Sequence, residues 1–177
     1  MSSHPPEHFQ AISETRFRIL GEVQRRPDLP LAMHEAGHVF LYEFNDISVK
    51  HCLLRGKPAI DGITELVRQM PITQHNFWPV IVSIMAGAAA QHVVDERGAM
   101  TNATADMLRA SEYIELVGLN QKQADELIVE AAKAAATIIM KNISTIVEIA
   151  DVLERKKRVE GDEIRKIIQQ HQHTAGR

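Results

Sequence analysis

Apolar residues recur at spacings of three and four along much of the chain, which is the pattern of helices that bury one face. The most regular stripe runs from Ile128 to Leu153, and it predicts one long helix over residues 121–156 whose apolar face packs in the core. Further helices are predicted over residues 9–25, 31–44, 77–94, 103–117 and 162–170. The chain should therefore be mainly helical.

Two short segments have the character of β-strands instead. Residues 47–55 and 60–67 are rich in apolar positions and flank Gly56-Lys57-Pro58, a sequence typical of a turn. They can pair as a hairpin. The predicted fold class is thus mainly α with a small β hairpin or sheet.

Composition is that of an ordinary globular protein, with 177 residues, 45% hydrophobic and 24% charged. We divide the chain into an N-terminal segment with one helix (1–29), one domain (30–170) and a flexible tail (171–177). A net charge of −3 argues against nucleic acid as a partner. Cys52 is the single cysteine and excludes an internal disulfide. No secretory signal or membrane-spanning stretch is recognisable, so we expect a soluble, cytoplasmic protein.

His34-Glu35-Ala36-Gly37-His38 matches the zinc motif H-E-x-x-H. On a helix, residues four apart project from one face, so the two imidazoles can converge on one Zn²⁺. Glu35, beside the first ligand, is placed to accept a proton from water as the catalytic base. Gly37 costs about 1 kcal/mol relative to alanine inside a helix, which suggests that another backbone approaches it closely.

A catalytic zinc ion needs a third protein ligand as well as an open position. The extended metzincin pattern requires a glycine at 41 and a histidine at 44, whereas this chain has Leu41 and Phe44, so that class is excluded. From the pattern alone the third ligand stays open, the candidates being Glu112, Glu115, His51, His75 and His92.

Several segments after the zinc motif resemble, in order, the peptidase domain of FtsH-type ATP-dependent zinc proteases. Asp61-Gly62-Ile63-Thr64 resembles the strand that lines the substrate cleft, and Met85 to Gln91 resembles the glycine- and alanine-rich helix. Thr101 to Asp106 resembles the T-G-A-x-N-D-L segment, and residues 150–168 resemble the C-terminal helical end. The resemblance covers about Leu31 to Ile168 and implies an FtsH-peptidase-like helical zinc domain.

In that family the aspartate of the T-G-A-x-N-D-L segment is the third zinc ligand, which implies Asp106 here. Residues 61–64 (Asp61, Gly62, Ile63 and Thr64) would then hold an extended peptide by strand addition, although an ordinary hairpin strand that covers the zinc helix explains them equally well. The chain departs from the family at Asn102 and Ala105, which replace a glycine and an asparagine.

A larger departure concerns energy coupling. The chain has no G-x-x-x-x-G-K-[ST] segment, so any ATP-driven unfolding would need a separate ATPase partner. Family members assemble as hexamers, and the resemblance therefore implies a homo-oligomer.

The expected function is that of an ATP-independent zinc metalloendopeptidase acting on short peptides or unfolded proteins. The alternative is a catalytically silent zinc-binding regulator or adaptor, but an intact Glu35 counts against it, because structural zinc needs no base. A third reading is a helical interaction protein in which the histidines are incidental.

Overall fold

The computed structural model describes residues 23–55, 62–68 and 71–175. Within these ranges, six α-helices accompany a small antiparallel sheet, which confirms the predicted mainly α class. The helices are α1 (Leu29–Phe44), α2 (Phe77–His92), α3 (Glu96–Leu116), α4 (Gln121–Lys141), α5 (Ile143–Lys156) and α6 (Gly161–Ala175). The strands are β1 (Val49–Leu54), β2 (Gly62–Leu66) and β3 (Arg158–Glu160). Most of the helix predicted over residues 9–25 lies outside the described residues.

Helix α1 is the central element and is buried along most of its length. Every residue from Ala32 to Tyr42 is buried, so the polar side chains within that stretch are removed from water and need partners. Pro30 lies in the first turn, where its missing N–H costs no hydrogen bond. The helix ends at Phe44, as predicted, and Asn45 is its C-cap. Asp46 then takes a left-handed conformation, with φ of 59°.

The sheet has the strand order β2-β1-β3. The predicted hairpin is confirmed, since β1 and β2 pair antiparallel with Cys52 opposite Thr64. Strand β3 was not predicted. Lys157 ends α5 in a left-handed conformation, with φ of 62°, and this turns the chain into a strand of three residues that is too short to leave a pattern. Because β2 pairs only with β1 among the described strands, its outer edge offers free backbone groups.

Helices α1 and α2 approach each other closely. A Cβ atom on Gly37 would lie 2.4 Å from the backbone oxygen of Ala86, which confirms the predicted reason for a glycine inside α1. Pro79 falls in the first turn of α2, which follows the N-cap Asn76, as its missing N–H requires. This tight packing brings the middle of α2 against the side chains of the zinc motif.

The start of α3 was predicted wrongly. The helix was predicted over residues 103–117, but it begins at Glu96. The reason is the cap, because a carboxylate oxygen of Asp95 accepts a hydrogen bond of 3.0 Å from the backbone N–H of Gly98 and so satisfies a free donor of the first turn. The earlier start makes α3 long enough to carry its residues across the zinc motif.

The long helix predicted over residues 121–156 is in fact two helices that meet at Asn142. The side-chain amide of Asn142 donates a hydrogen bond of 2.8 Å to the carbonyl of Ile138, a local bond of the kind that competes with helical hydrogen bonding. The apolar stripe still faces the core as predicted, with Ile139 and Ile146 fully buried. Helix α6 also continues to Ala175, past residue 170, where the tail was predicted to begin.

Candidate metal centre

The two histidines of α1 face each other with their ring nitrogens in contact. Nε2 of His34 and Nε2 of His38 lie 3.0 Å apart. Nδ1 of His34 is 3.1 Å from Oε1 of Gln91, and Nδ1 of His38 is 3.0 Å from the carbonyl of Ser83. Both partners are acceptors, so each ring carries a proton on Nδ1. In the neutral imidazoles the lone pairs on the two Nε2 atoms therefore meet, an arrangement that calls for a proton or a metal ion between them.

Asp106 of α3 supplies a third donor at the same point. Its Oδ2 lies 3.2 Å from Nε2 of His34 and 3.5 Å from Nε2 of His38. This oxygen is buried and has no hydrogen-bond partner in the described part of the chain. Donors around a tetrahedral zinc ion with bonds of 2.0–2.1 Å lie about 3.3 Å apart. The three atoms thus form a triangle of the size that such an ion requires.

The electrostatics of this cluster also favour a cation. Burial alone would lower the pKa of His38, but Asp106, the charge of Glu35 and the carbonyl of Ser83 together outweigh that effect and raise the pKa to about 9. For Asp106, burial alone would raise the pKa, yet the neighbouring histidines hold it well below its usual range. The carboxylate therefore stays ionised and needs a positive charge beside it, a need that either a proton or a metal ion can meet.

Glu35 lies next to the triangle but is held by the sheet. Its carboxylate is within 4.8 Å of both histidine ring nitrogens, so the buried group of His34, Glu35 and His38 could hold a metal ion. However, Oε2 of Glu35 accepts a hydrogen bond of 3.0 Å from Oγ1 of Thr64 and lies 3.8 Å from Sγ of Cys52. Burial raises the pKa of the Cys52 thiol, which keeps it protonated and able to donate. Glu35 is thus oriented as a neighbour of the metal position, with Asp106 better placed as the third ligand.

Two glycines make room for these side chains. A Cβ atom on Gly87 of α2 would lie 2.3 Å from Nε2 of His38 and 2.6 Å from Nε2 of His34. A Cβ atom on Gly62 of β2 would lie 2.2 Å from Oε1 of Glu35. Both distances are far below van der Waals contact. The backbone of α2 thus closes the metal position from one side, and β2 covers Glu35 from another.

The cluster lies in a cleft with a volume of about 540 Å³, within the range of small-molecule and peptide sites. Its walls come from α1, β2 and α3, with Ile84 of α2 between them. Gly62, Ile63 and Thr64 of the predicted substrate strand all line it, while Asp61 lies outside the described residues. The edge strand and the histidines therefore share one cavity.

The other sequence candidates for the third ligand lie elsewhere. His51 is adjacent to Cys52 on β1 and so points to the opposite face of the sheet, where its Nε2 is 3.2 Å from a carboxylate oxygen of Glu65. The remaining candidates are exposed and do not line the cleft: His75, His92, Glu112 and Glu115.

Sequence reasoning missed the groups that orient the histidines. Gln91 belongs to a segment that the resemblance had singled out, but no role was assigned to it. Its Oε1 accepts from His34 and also from the amide of Asn102 at 2.9 Å. The departure at Asn102 therefore places a hydrogen-bond donor behind the first histidine. Only the helical spacing from Ser83 and Gly87 to Gln91 could have indicated that one face of α2 meets the zinc motif.

Comparison with known proteins adds no assignment. No protein-family model matches the chain, and no curated protein matches it significantly. In the described ranges, no helix is both long and apolar enough to cross a membrane. Functional inference therefore depends on the geometry of the cleft.

Proposed function

We propose that this protein is a zinc metallopeptidase that hydrolyses peptide bonds in short peptides or unfolded chains without ATP. His34, His38 and Asp106 hold the ion, and Glu35 is the catalytic base. Residues 31–168 resemble FtsH-type peptidase domains, which agrees with this function, but the function is inferred without that resemblance.

One observation carries the proposal. The Nε2 atoms of His34 and His38 and the Oδ2 atom of Asp106 lie within 3.5 Å of one another. Each imidazole directs its Nδ1 atom at a hydrogen-bond acceptor, and Oδ2 is buried without a hydrogen bond in the described part of the chain. A structural zinc site usually has four protein ligands, whereas a catalytic site has three and leaves one position open. Here three donors converge, and a cleft lies on the remaining side. Zinc fits this set of nitrogen and oxygen donors better than magnesium or calcium, which prefer oxygen alone.

The chain's own residues then have distinct roles in hydrolysis. A bound zinc ion supplies a Lewis acid that polarises the scissile carbonyl and lowers the pKa of water to about 7. Glu35 accepts the proton of the attacking water and donates it to the leaving amine. Thr64 fixes one oxygen of that carboxylate, which leaves Oε1 without a hydrogen-bond partner in the described residues and able to take the proton.

The edge of β2 suits an extended peptide. Its outer side has no strand partner among the described strands, and Ile63 and Thr64 line the cleft beside Glu35. A peptide that adds to this edge forms backbone hydrogen bonds without regard to its sequence and brings its carbonyls past the metal position. A folded protein cannot offer such a strand, so the substrates are short or unfolded.

The proposal is tested with full-length protein purified without a histidine tag. Zinc is measured by elemental analysis, and hydrolysis of quenched fluorescent peptides and of casein is followed with and without a chelator. We expect near-stoichiometric zinc, loss of hydrolysis on chelation and recovery when zinc is restored. Glu35→Gln should keep the zinc and lose at least a hundredfold in kcat, the scale of a general base.

The outcomes separate the alternatives. Full zinc content without hydrolysis of any peptide would favour the zinc-binding regulator. Absence of zinc in protein purified from zinc-supplemented medium would favour the helical interaction protein. Hydrolysis that survives both chelation and Glu35→Gln would reject the proposed mechanism.

A further inference from the structure

One basic side chain lines the cleft beside the metal position. Arg109 follows Asp106 by three residues on α3, and both line the cavity. Residues three apart on a helix are neighbours on one face, so the guanidinium lies on the same wall as the third ligand. Arg109 itself is exposed, so a molecule that enters the cleft can reach it.

Arg109 has no carboxylate partner among the described residues. In the described part of the chain it takes part in no side-chain hydrogen bond or ion pair, whereas Arg26, Arg158 and Arg165 are each paired with a carboxylate. Two carboxylates lie three residues from Arg109 on α3. Asp106 is directed between the two histidines, and Glu112 is exposed and forms no ion pair with Arg109. The cleft therefore has a positive charge that no neighbouring residue within 23–55, 62–68 and 71–175 neutralises.

The charge of Arg109 also acts on Tyr42, which lines the same cleft. Tyr42 is a cleft-lining residue of α1, and burial raises the pKa of its hydroxyl, an effect that the positive charge of Arg109 partly offsets. The charge of Arg109 is thus close to Tyr42, a second residue that lines the cleft. A dipositive ion at the metal position would balance the charges of Glu35 and Asp106, which leaves the positive charge of Arg109 unbalanced among the described residues that line the cleft.

The spacing indicates which part of a peptide meets this charge. One helical turn advances about 5.4 Å, and an extended peptide advances about 3.3 Å per residue. Because Arg109 is about one turn from Asp106 on the same face of α3, a group that it binds lies close to the bond at the metal position. Leu108 and Ile63 also line the cavity and give the neighbouring positions of the peptide an apolar contact.

We infer that Arg109 is a specificity-determining residue that binds a carboxylate of the peptide, close to the scissile bond. The planar guanidinium matches a carboxylate with two parallel hydrogen bonds. The carboxylate belongs either to an acidic side chain or to the C-terminus of the peptide. The inference rests on the proposed function for its substrate class, but its test measures binding and does not need turnover.

The test uses the full chain with Glu35→Gln, which prevents hydrolysis. Fluorescein-labelled peptides of one sequence are compared by anisotropy: a neutral peptide with a C-terminal amide, the same peptide with one internal glutamate, and the neutral peptide with a free C-terminus. At least one carboxylate peptide should bind about tenfold more tightly than the neutral one, the factor expected for a charge-assisted hydrogen bond. The tighter of the two carboxylate peptides identifies the source of the carboxylate.

Substitutions assign the preference to Arg109. Arg109→Gln should abolish it, Arg109→Lys should retain part of it, and Arg109→Glu should shift the preference to a peptide with a lysine in place of the glutamate. Arg97→Gln is the matched control, because Arg97 is an exposed arginine of α3 that does not line the cleft, and it should leave all dissociation constants unchanged.

Three results would overturn the inference. These are equal binding of neutral and carboxylate peptides, no binding of any peptide, and a carboxylate preference that survives Arg109→Gln. The last would show that the carboxylate binds the metal ion instead. A preference that disappears in Arg109→Gln, together with no hydrolysis by the wild-type chain, would refute the proposed peptidase function and leave the carboxylate site intact.

Discussion

Gly62→Ala should displace the carboxylate of Glu35, the proposed base, without removing the metal ion. The added methyl group would lie 2.2 Å from Cγ, Cδ and Oε1 of Glu35, whereas nonbonded carbon atoms pack at about 3.5–4.0 Å. Glu35 is only 5% exposed and has Thr64 and Cys52 on its other side, so it cannot turn out into water. The carboxylate, the strand or both must move by more than about 1 Å, a displacement that costs on the order of a hundredfold in rate.

The assay compares kcat/KM for a quenched fluorescent peptide with zinc content and thermal stability. We expect Gly62→Ala to lose about a hundredfold in kcat/KM while it keeps its zinc, because the methyl group does not reach His34, His38 or Asp106. Glu65→Ala, an exposed change in the same strand, is the control for damage to β2 and should stay within about threefold of wild type, as expected for the loss of surface ion pairs. Wild-type kcat/KM in a fully folded, zinc-loaded Gly62→Ala variant would refute the placement of the base.

Three further substitutions test other parts of the account. Gly87→Ala should abolish zinc binding, measured by elemental analysis, because its methyl group would lie 2.3 Å from Nε2 of His38; full zinc content would contradict the packing of α2 on α1. Gln91→Leu should weaken zinc binding about 10–100-fold, because His34 loses the acceptor that fixes its tautomer. The affinity is measured by competition with a chromophoric chelator, and an unchanged affinity would show that Gln91 has no such role. Ile146→Ala, at a fully buried position of α5, should lower the free energy of unfolding by about 2–5 kcal/mol in urea, and a loss below 1 kcal/mol would show that α5 is not part of the core.

The zinc motif could be predicted from sequence because its geometry is local. Spacing on one helix sets the two histidines on one face, and the structure brings their Nε2 atoms to 3.0 Å. The proposed third ligand could not be derived in this way, since Asp106 lies on another helix and reaches the two histidines only through tertiary packing. The residues alone left five candidates, and the family resemblance was needed to single out Asp106.

Other differences from the predictions also arise from interactions that periodicity does not record. The stripe around Asn142 keeps its spacing on both sides, so the break in the helix depends on one side-chain hydrogen bond. The early start of α3 depends on the cap formed by Asp95, and the third strand depends on the backbone conformation of Lys157. The orientation of His34 by Gln91 likewise joins two helices that are distant in sequence.

The most direct test is an anomalous-difference map at the zinc edge from crystals of the untagged protein grown with one equivalent of zinc. We expect one peak at about 2.0–2.1 Å from Nε2 of His34, Nε2 of His38 and Oδ2 of Asp106, with the Glu35 carboxylate beside it but unbonded. A peak coordinated by other residues, or an Asp106 side chain turned away from both rings, would contradict the account.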